Sequence, residues 1–273
     1  MTIKRRDQGK THTYVDSETG ARIPGVTSIL DGGIPKPALI NWAATATAEY
    51  AIDNWANLAD LTPSVRLKTL NGARYAVKDT AANRGTQVHA MAEKLVHGDE
   101  VAVPDGLEGH VEAYVKFLDE FDVEPVLVER TVWSQEHNYC GTFDLIANLL
   151  DPDDLEPDPE LRRRVCWLLD LKTNRSGIFG ETALQLAAYR YAEWWIDDDG
   201  IERDMPQVER VGAVHVTADG YELRPLIAGP EQFRTFLYAQ QIADFTATSR
   251  ELVGEPVVSP QTSTYRLIRE EGF

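Results

Sequence analysis

The stretches CGTFDLIANLL (residues 140–150) and RRRVCWLLDLKT (residues 162–173) decide how the chain is read. Each is long, apolar and rich in residues that suit a buried strand. Asp144 interrupts the first, and Asp170 and Lys172 stand near the end of the second. Alternate residues of a strand share a face, so Asp170 and Lys172 point one way while Leu171 turns into the core. Carboxylates beside apolar runs are costly unless a metal or a counter-charge accompanies them. The pattern therefore reads as a divalent-metal phosphodiesterase site. A chance pair of acids on a solvated strand face is the bland alternative.

Working outward, the two strands are joined by DPDDLEPDPELRRR, whose prolines and acids mark a solvated excursion. It lacks the glycine and the spacing of a calcium loop. Arg162, Arg163 and Arg164 close it and are expected to bring positive charge near the site. Upstream, VEPVLVERTVWS forms a strand carrying Glu129, turning through Gln135–Asn138 into the Asp144 strand. Before it, GLEGHVEAYVKFLDEFDV gives an amphipathic helix with Val111, Tyr114, Val115 and Leu118 on its apolar stripe. Earlier still, a helix starting near Thr80 carries AANRGTQVHAMAEKLVHG and ends at Gly98. Gly85, His89 and Glu93 fall on one of its faces. Gly85 costs about 1 kcal/mol in a helix, which suggests that something bulky approaches there. His89 also reads as a partly buried polar residue bonded to a neighbour, and Arg84 as a solvated helix residue.

A separate helix is expected from Ser64 to about Val77, capped by Thr62 with Pro63 at its first position. An Ala-rich helix after Leu39 places Trp42, Ala46 and Tyr50 on one face. At the start, THTYVD and ARIPGVTSIL flank the turn SETG as a short hairpin. Downstream of Lys172, TNRSGIFG is a loop and ETALQLAAYRYAEWWI a helix with Gln185 and Tyr189 four apart. VERVGAVHVTADGYELRPLI reads as a hairpin turning at Asp219–Gly220, and EQFRTFLYAQQIADFTATSREL as a closing helix. No structure is argued after Pro256.

The 273 residues suit one large domain: a helical part over 35–120 overlapping a catalytic core over 80–245. Hydrophobic content of 43% and charged content of 26% place the chain among ordinary globular proteins. No run has membrane-spanning length, and the basic N-terminus has no apolar segment behind it to make a signal peptide. Net charge is −17, which argues against a general nucleic-acid coat but leaves room for a metal-filled or basic groove. Cys140 and Cys166 read as small, reduced core residues on paired strands, and two cysteines cannot alone hold an iron–sulfur cluster.

In this order the motifs resemble the PD-(D/E)XK nuclease superfamily, in particular its RecB-type and phage exonuclease branch. RGTQVHAMAE is similar to that branch's histidine helix, GTFDLI to its first acidic strand, LLDLKT to its acid-x-lysine strand and QLAAYRYA to its glutamine–tyrosine motif. VTSIL and KPALINWAA are similar to its opening segment, so the likeness runs from roughly Val26 to Tyr191. The resemblance implies a restriction-endonuclease-like α/β core, a small mixed central sheet with helices on each side. It makes His89, Asp144, Asp170 and the Leu171 backbone carbonyl metal ligands, with Lys172 the catalytic lysine. Glu129 matches an acidic position that touches a second metal or orients the site. Gln185, Tyr189, Arg84 and Thr173 would line the site or the DNA.

The implied activity is a Mg²⁺- or Mn²⁺-dependent DNA exonuclease in recombination or DNA processing, with one or two ions and no iron–sulfur cluster. The alternatives are a structure-specific or non-specific endonuclease of the same fold, or a catalytically silent DNA-binding or assembly subunit. The resemblance further implies a phage protein acting in the bacterial cytoplasm. Its partners would be DNA and a recombination or replication protein, homo-oligomerisation is open, and no membrane is involved.

Overall fold

A computed structural model describes residues 3–8 and 11–257. The chain opens with β1 (Ile3–Gln8), β2 (Thr11–Asp16) and β3 (Arg22–Ile23), a small antiparallel sheet with β2 in the middle. Helices α1 (Val26–Gly33), α2 (Pro37–Asp53), α3 (Trp55–Ala59), α4 (Pro63–Val96) and α5 (Glu108–Glu120) follow. Then come β4 (Glu124–Ser134), β5 (Tyr139–Leu150), β6 (Arg164–Lys172) and α6 (Glu181–Arg190). The described chain closes with β7 (Trp194–Ile196), β8 (Glu202–Asp204), β9 (Arg210–Thr217), β10 (Gly220–Pro225) and α7 (Pro230–Thr248).

The fold is α/β, built on a mixed seven-stranded sheet in the order β10-β9-β6-β5-β4-β7-β8. β6 and β9 run parallel, while the other pairs are antiparallel. A parallel pair needs a crossover, and α6 with the β7–β8 ribbon supplies it. The central strands are apolar on both faces because helices cover both. On one side Val88 of α4 and Phe117 of α5 pack on Leu145, Leu149, Trp167, Leu169 and Leu171. On the other, α1, α6 and α7 bring Ile29, Leu186 and Phe236 onto Phe143, Ile146 and Leu168. Almost all of these side chains are withdrawn from water, so hydrophobic burial on two faces holds the sheet.

The expected hairpin at β4–β5, the third strand β6, the hairpin at Asp219–Gly220 and the closing helix are all present. Several expectations are corrected. The two helices read around Val77 and Thr80 are one, α4, because no glycine or proline interrupts the junction. It ends as expected: His97 caps it and Gly98 takes φ 81°. Val26–Gly33 is a helix rather than the second arm of a hairpin, and the hairpin partner of β2 is only the two-residue β3. β1 had no counterpart in the sequence reading. The helix through Tyr189 stops at Arg190, and Trp194–Ile196 pairs with β4 instead, as aromatic and β-branched side chains favour. Cys140 and Cys166 are free, and they face Trp133 and Asn148 in different ladders rather than each other.

The arginine cluster is also corrected. Arg164 is paired with Asp122 and Glu124, Arg163 with Glu209 and Asp151, and Arg162 donates to the Glu156 carbonyl. They stand at the start of β6, roughly 20 Å along the strand from Asp170.

α1 and α7 meet closely because Gly33 lacks a side chain: a Cβ there would overlap the Ala239 backbone. Gly33→Ala should lower stability by about 1–3 kcal/mol through overpacking. Urea unfolding should show a reduced midpoint with an unchanged slope.

Candidate metal centre

The site forms where two paired strands part. β5 and β6 stay in register as far as Leu145 opposite Leu169, and no pairing continues beyond. β6 carries on against β9 to Lys172, opposite His215. The Leu171 amide, freed from β5's backbone, donates to Asp144 Oδ2 at 2.6 Å. A side chain thus replaces a ladder acceptor, as a buried N–H requires. The normal alternation of β5 also fails here: Phe143 packs with the α6–α7 side and Leu145 with the α4–α5 side. Across on β4, Glu129 adopts φ 50°, a left-handed conformation that disfavours a residue with a Cβ. Such backbone irregularity concentrates at functional sites.

These distortions gather His89, Glu129 and Asp144, whose ligand atoms lie within 4.8 Å of one another. They line a recess of about 20 Å³ together with Glu93 and Tyr114. His89 reaches in from α4, its Nδ1 3.6 Å from Asp144 Oδ1. Burial alone would depress the imidazole, but Asp144, Asp170 and Glu129 outweigh it and hold the pKa at about 9. Asp144 shows the reciprocal balance: burial pushes it up, and the His89 charge, the Leu171 amide and Lys172 bring it below its ordinary value. Glu129 gains least. Burial, reinforced by Asp144, lifts it to about 7.

Asp170 stands outside that group, 3% exposed. Lys172 Nζ lies 2.7 Å from its Oδ2, and Gln185 Nε2 donates to its Oδ1 at 3.0 Å. The same amide nitrogen donates to the Tyr189 hydroxyl at 3.2 Å. Burial, then Asp144, raise Asp170 to about 6 despite the Lys172 charge. Lys172 itself is raised: burial opposes its charge, but Asp170 dominates. Gln185 and Tyr189 come from successive turns of α6, so the four-residue spacing becomes a single hydrogen-bonded unit. Gly141 makes room for it, since a Cβ there would collide with the Tyr189 ring.

Of the remaining sequence-named residues, Thr173 packs against Gly85, where a Cβ would approach its Oγ1 to 3.3 Å. The approach inferred from a helical glycine is thus that of the segment following Lys172. Arg84 is not brought to the three-residue group; its Nε is buried without a partner and its charge depresses His110, after burial. Two residues went unnoticed in the sequence. Thr142, two before Asp144, accepts or donates a 2.8 Å hydrogen bond with Tyr14 of β2. The period of β5 could have flagged Thr142; nothing local marks Tyr14.

The donor set fits a hard divalent cation. Two carboxylates and one imidazole converge on one point, near the ~4 Å that ligands on opposite sides of Mg²⁺ keep. Burial and Asp144 raise Glu129 even though the His89 and Arg5 charges oppose the shift.

No family model matches the chain, and no curated protein does. Among solved structures, that of SSO0001 is similar at 14% identity over 85% of this chain and 76% of that one, with a TM-score of 0.32.

Glu129's raised pKa makes its ionisation a liability without metal: the cost is absent below its ordinary pKa and complete above about 7. Glu129→Gln should therefore raise the melting temperature of the metal-free protein at pH 8, and the gain should vanish towards pH 4.5. Allowing for solvent screening, the effect is on the order of 1 kcal/mol. Mn²⁺ should raise the melting temperature of the unaltered protein by binding the folded state. Asp144→Asn should remove most of that rise.

Proposed function

We propose that this chain is a Mg²⁺- or Mn²⁺-dependent DNA nuclease with a restriction-endonuclease-like core, working as an exonuclease in recombination or replication-linked DNA processing. The observation that carries the reading is the convergence at the β5–β6 split. A cation-ready His89–Glu129–Asp144 group adjoins a buried Asp170–Lys172 ion pair. A structural ion pair alone gives no reason to gather three more ionisable ligands next to it.

His89, Glu129 and Asp144 would hold the ion, with the Leu171 carbonyl as a further ligand. A divalent ion bound there would supply positive charge to the non-bridging oxygens of a phosphodiester. The chain's own groups do the rest. Asp144 is held by the Leu171 amide, which fixes its second oxygen. Lys172 presents three donors; with one directed at Asp170, the others can hold an attacking water and offset negative charge on the phosphate. Asp170 aims the ammonium, and Gln185 aims Asp170. His89 must shed its proton to become a ligand, so metal binding tightens as pH rises towards about 9. The chain is strongly acidic, and ion binding at the site offsets part of its repulsion of DNA.

Lys172→Ala should lower cleavage at least ~100-fold. It should also lower the melting temperature, because Asp170 is left buried without its partner. Adding Asp170→Asn should recover that stability but no activity. Cleavage should be followed on end-labelled linear duplex beside a closed circle, with Mn²⁺. Release from the linear ends alone supports the exonuclease reading, and cutting of the circle replaces it with the endonuclease. DNA binding without cleavage would replace both with a silent DNA-binding subunit.

A further inference from the structure

β1 is the outer strand of the small sheet, and its side chains alternate between two faces. Ile3 is buried with Tyr14, Ile23, Trp133 and Cys140. Arg5 stands opposite Tyr14 in the register, so both leave the same face. That face meets β5. Tyr14 and Arg5 converge on one atom, Thr142 Oγ1, the hydroxyl at 2.8 Å and Arg5 Nη1 donating at 3.4 Å. Thr142 stands two residues before Asp144 on β5, a backbone span of about 7 Å. The guanidinium is therefore anchored at the edge of the acidic group, close enough for its charge to act on Glu129.

Arg5 is held but not consumed. Its Nε donates to Asp7 Oδ1 at 2.9 Å, and its side chain is 34% exposed. Among the described residues its Nη2 group takes no partner, leaving that nitrogen's N–H donors to reach a phosphate. Lys4 and Arg6 leave the opposite face of β1 and pair in register with Val15 and Thr13. The strand thus turns one cation of its three towards the site.

We infer that Arg5 is a phosphate-gripping residue: its guanidinium binds a backbone phosphate of the DNA strand, next to the phosphate being cut. This rests on the nuclease reading, and it makes the small N-terminal sheet part of the substrate site.

The test measures affinity for a fluorescent duplex with a single-stranded overhang, in Mn²⁺, on a Lys172→Ala background, across a salt series. Cleavage kinetics are measured on the parent chain. Arg5→Ala should weaken binding about 10-fold and reduce the salt slope by about one phosphate contact. KM should rise more than kcat falls. Arg5→Lys should restore the slope but only part of the affinity, because an ammonium lacks the planar group that Asp7 and Thr142 orient. Arg6→Ala should stay within about twofold of the parent, and the Mn²⁺-induced rise in melting temperature should persist in all three. An unchanged affinity and slope in Arg5→Ala, or an equal loss in Arg6→Ala, overturns the assignment. So does a lowered melting temperature with the slope intact, which marks a purely structural tie. If the parent cuts DNA while Arg5→Ala is indistinguishable from it, only this inference falls. A parent that neither binds nor cuts DNA takes the nuclease reading down as well.

Discussion

The hydrogen bond from the Leu171 amide to the Asp144 carboxylate is the interaction on which the site depends. Two strands joined by a regular ladder would bury their polar groups in each other and leave nothing to offer a ligand. Here the ladder ends at Leu145 and Leu169, and a carboxylate takes up the first amide past the break. One acid oxygen is spent on holding the strands at their divergence, and the other faces His89. The same break sends Asp170 and Lys172 onward along β9, where α6 reaches them through Gln185.

The electrostatics follow from this geometry. Two opposite charges are enclosed as a pair, Asp170 with Lys172, and a second pair is only half satisfied, Asp144 with His89. Glu129 is the surplus acid, and a left-handed backbone torsion places it there against local preference. A sequence optimised for stability alone would replace it. The strain and the surplus charge point to the same place, which is why the two observations reinforce each other.

Much of this was legible in the sequence, and the limits have physical causes. Strands β4, β5 and β6 could be read because their apolar runs are long and their breaks are marked by turn residues. Asp144, Asp170 and Lys172 could be named because they interrupt apolar strand runs, and His89, Gln185 and Tyr189 because their short motifs resemble those of a known superfamily. The relation between Asp144 and Asp170 was less accessible. The family resemblance implied both in one ligand set, whereas the structure pairs Asp170 with Lys172 and puts Glu129 in the three-residue group. That choice depends on where the ladder splits, which no local pattern reports. Trp194–Ile196 was misread for a related reason: its apolar run suits a helix end or a strand, and only β4 decides. Arg5 and Tyr14 could not be seen at all, because their partner lies more than a hundred residues away.

That separation has a bearing on synthesis. The small N-terminal sheet is made before its docking surface, the start of β5. The Cys140 amide donates to the Pro24 carbonyl, and Gly25 bridges Cys140. Until residue 142 has emerged, Tyr14 has no Thr142 to meet and the hydrophobic side of the hairpin has no cover. A growing chain must therefore carry this ribbon, its outer edge unpaired among the described residues, while more than a hundred further residues are made. Three cations in a row on β1, of which only Arg5 turns towards the site, are the kind of charge that discourages an exposed edge from pairing with another chain.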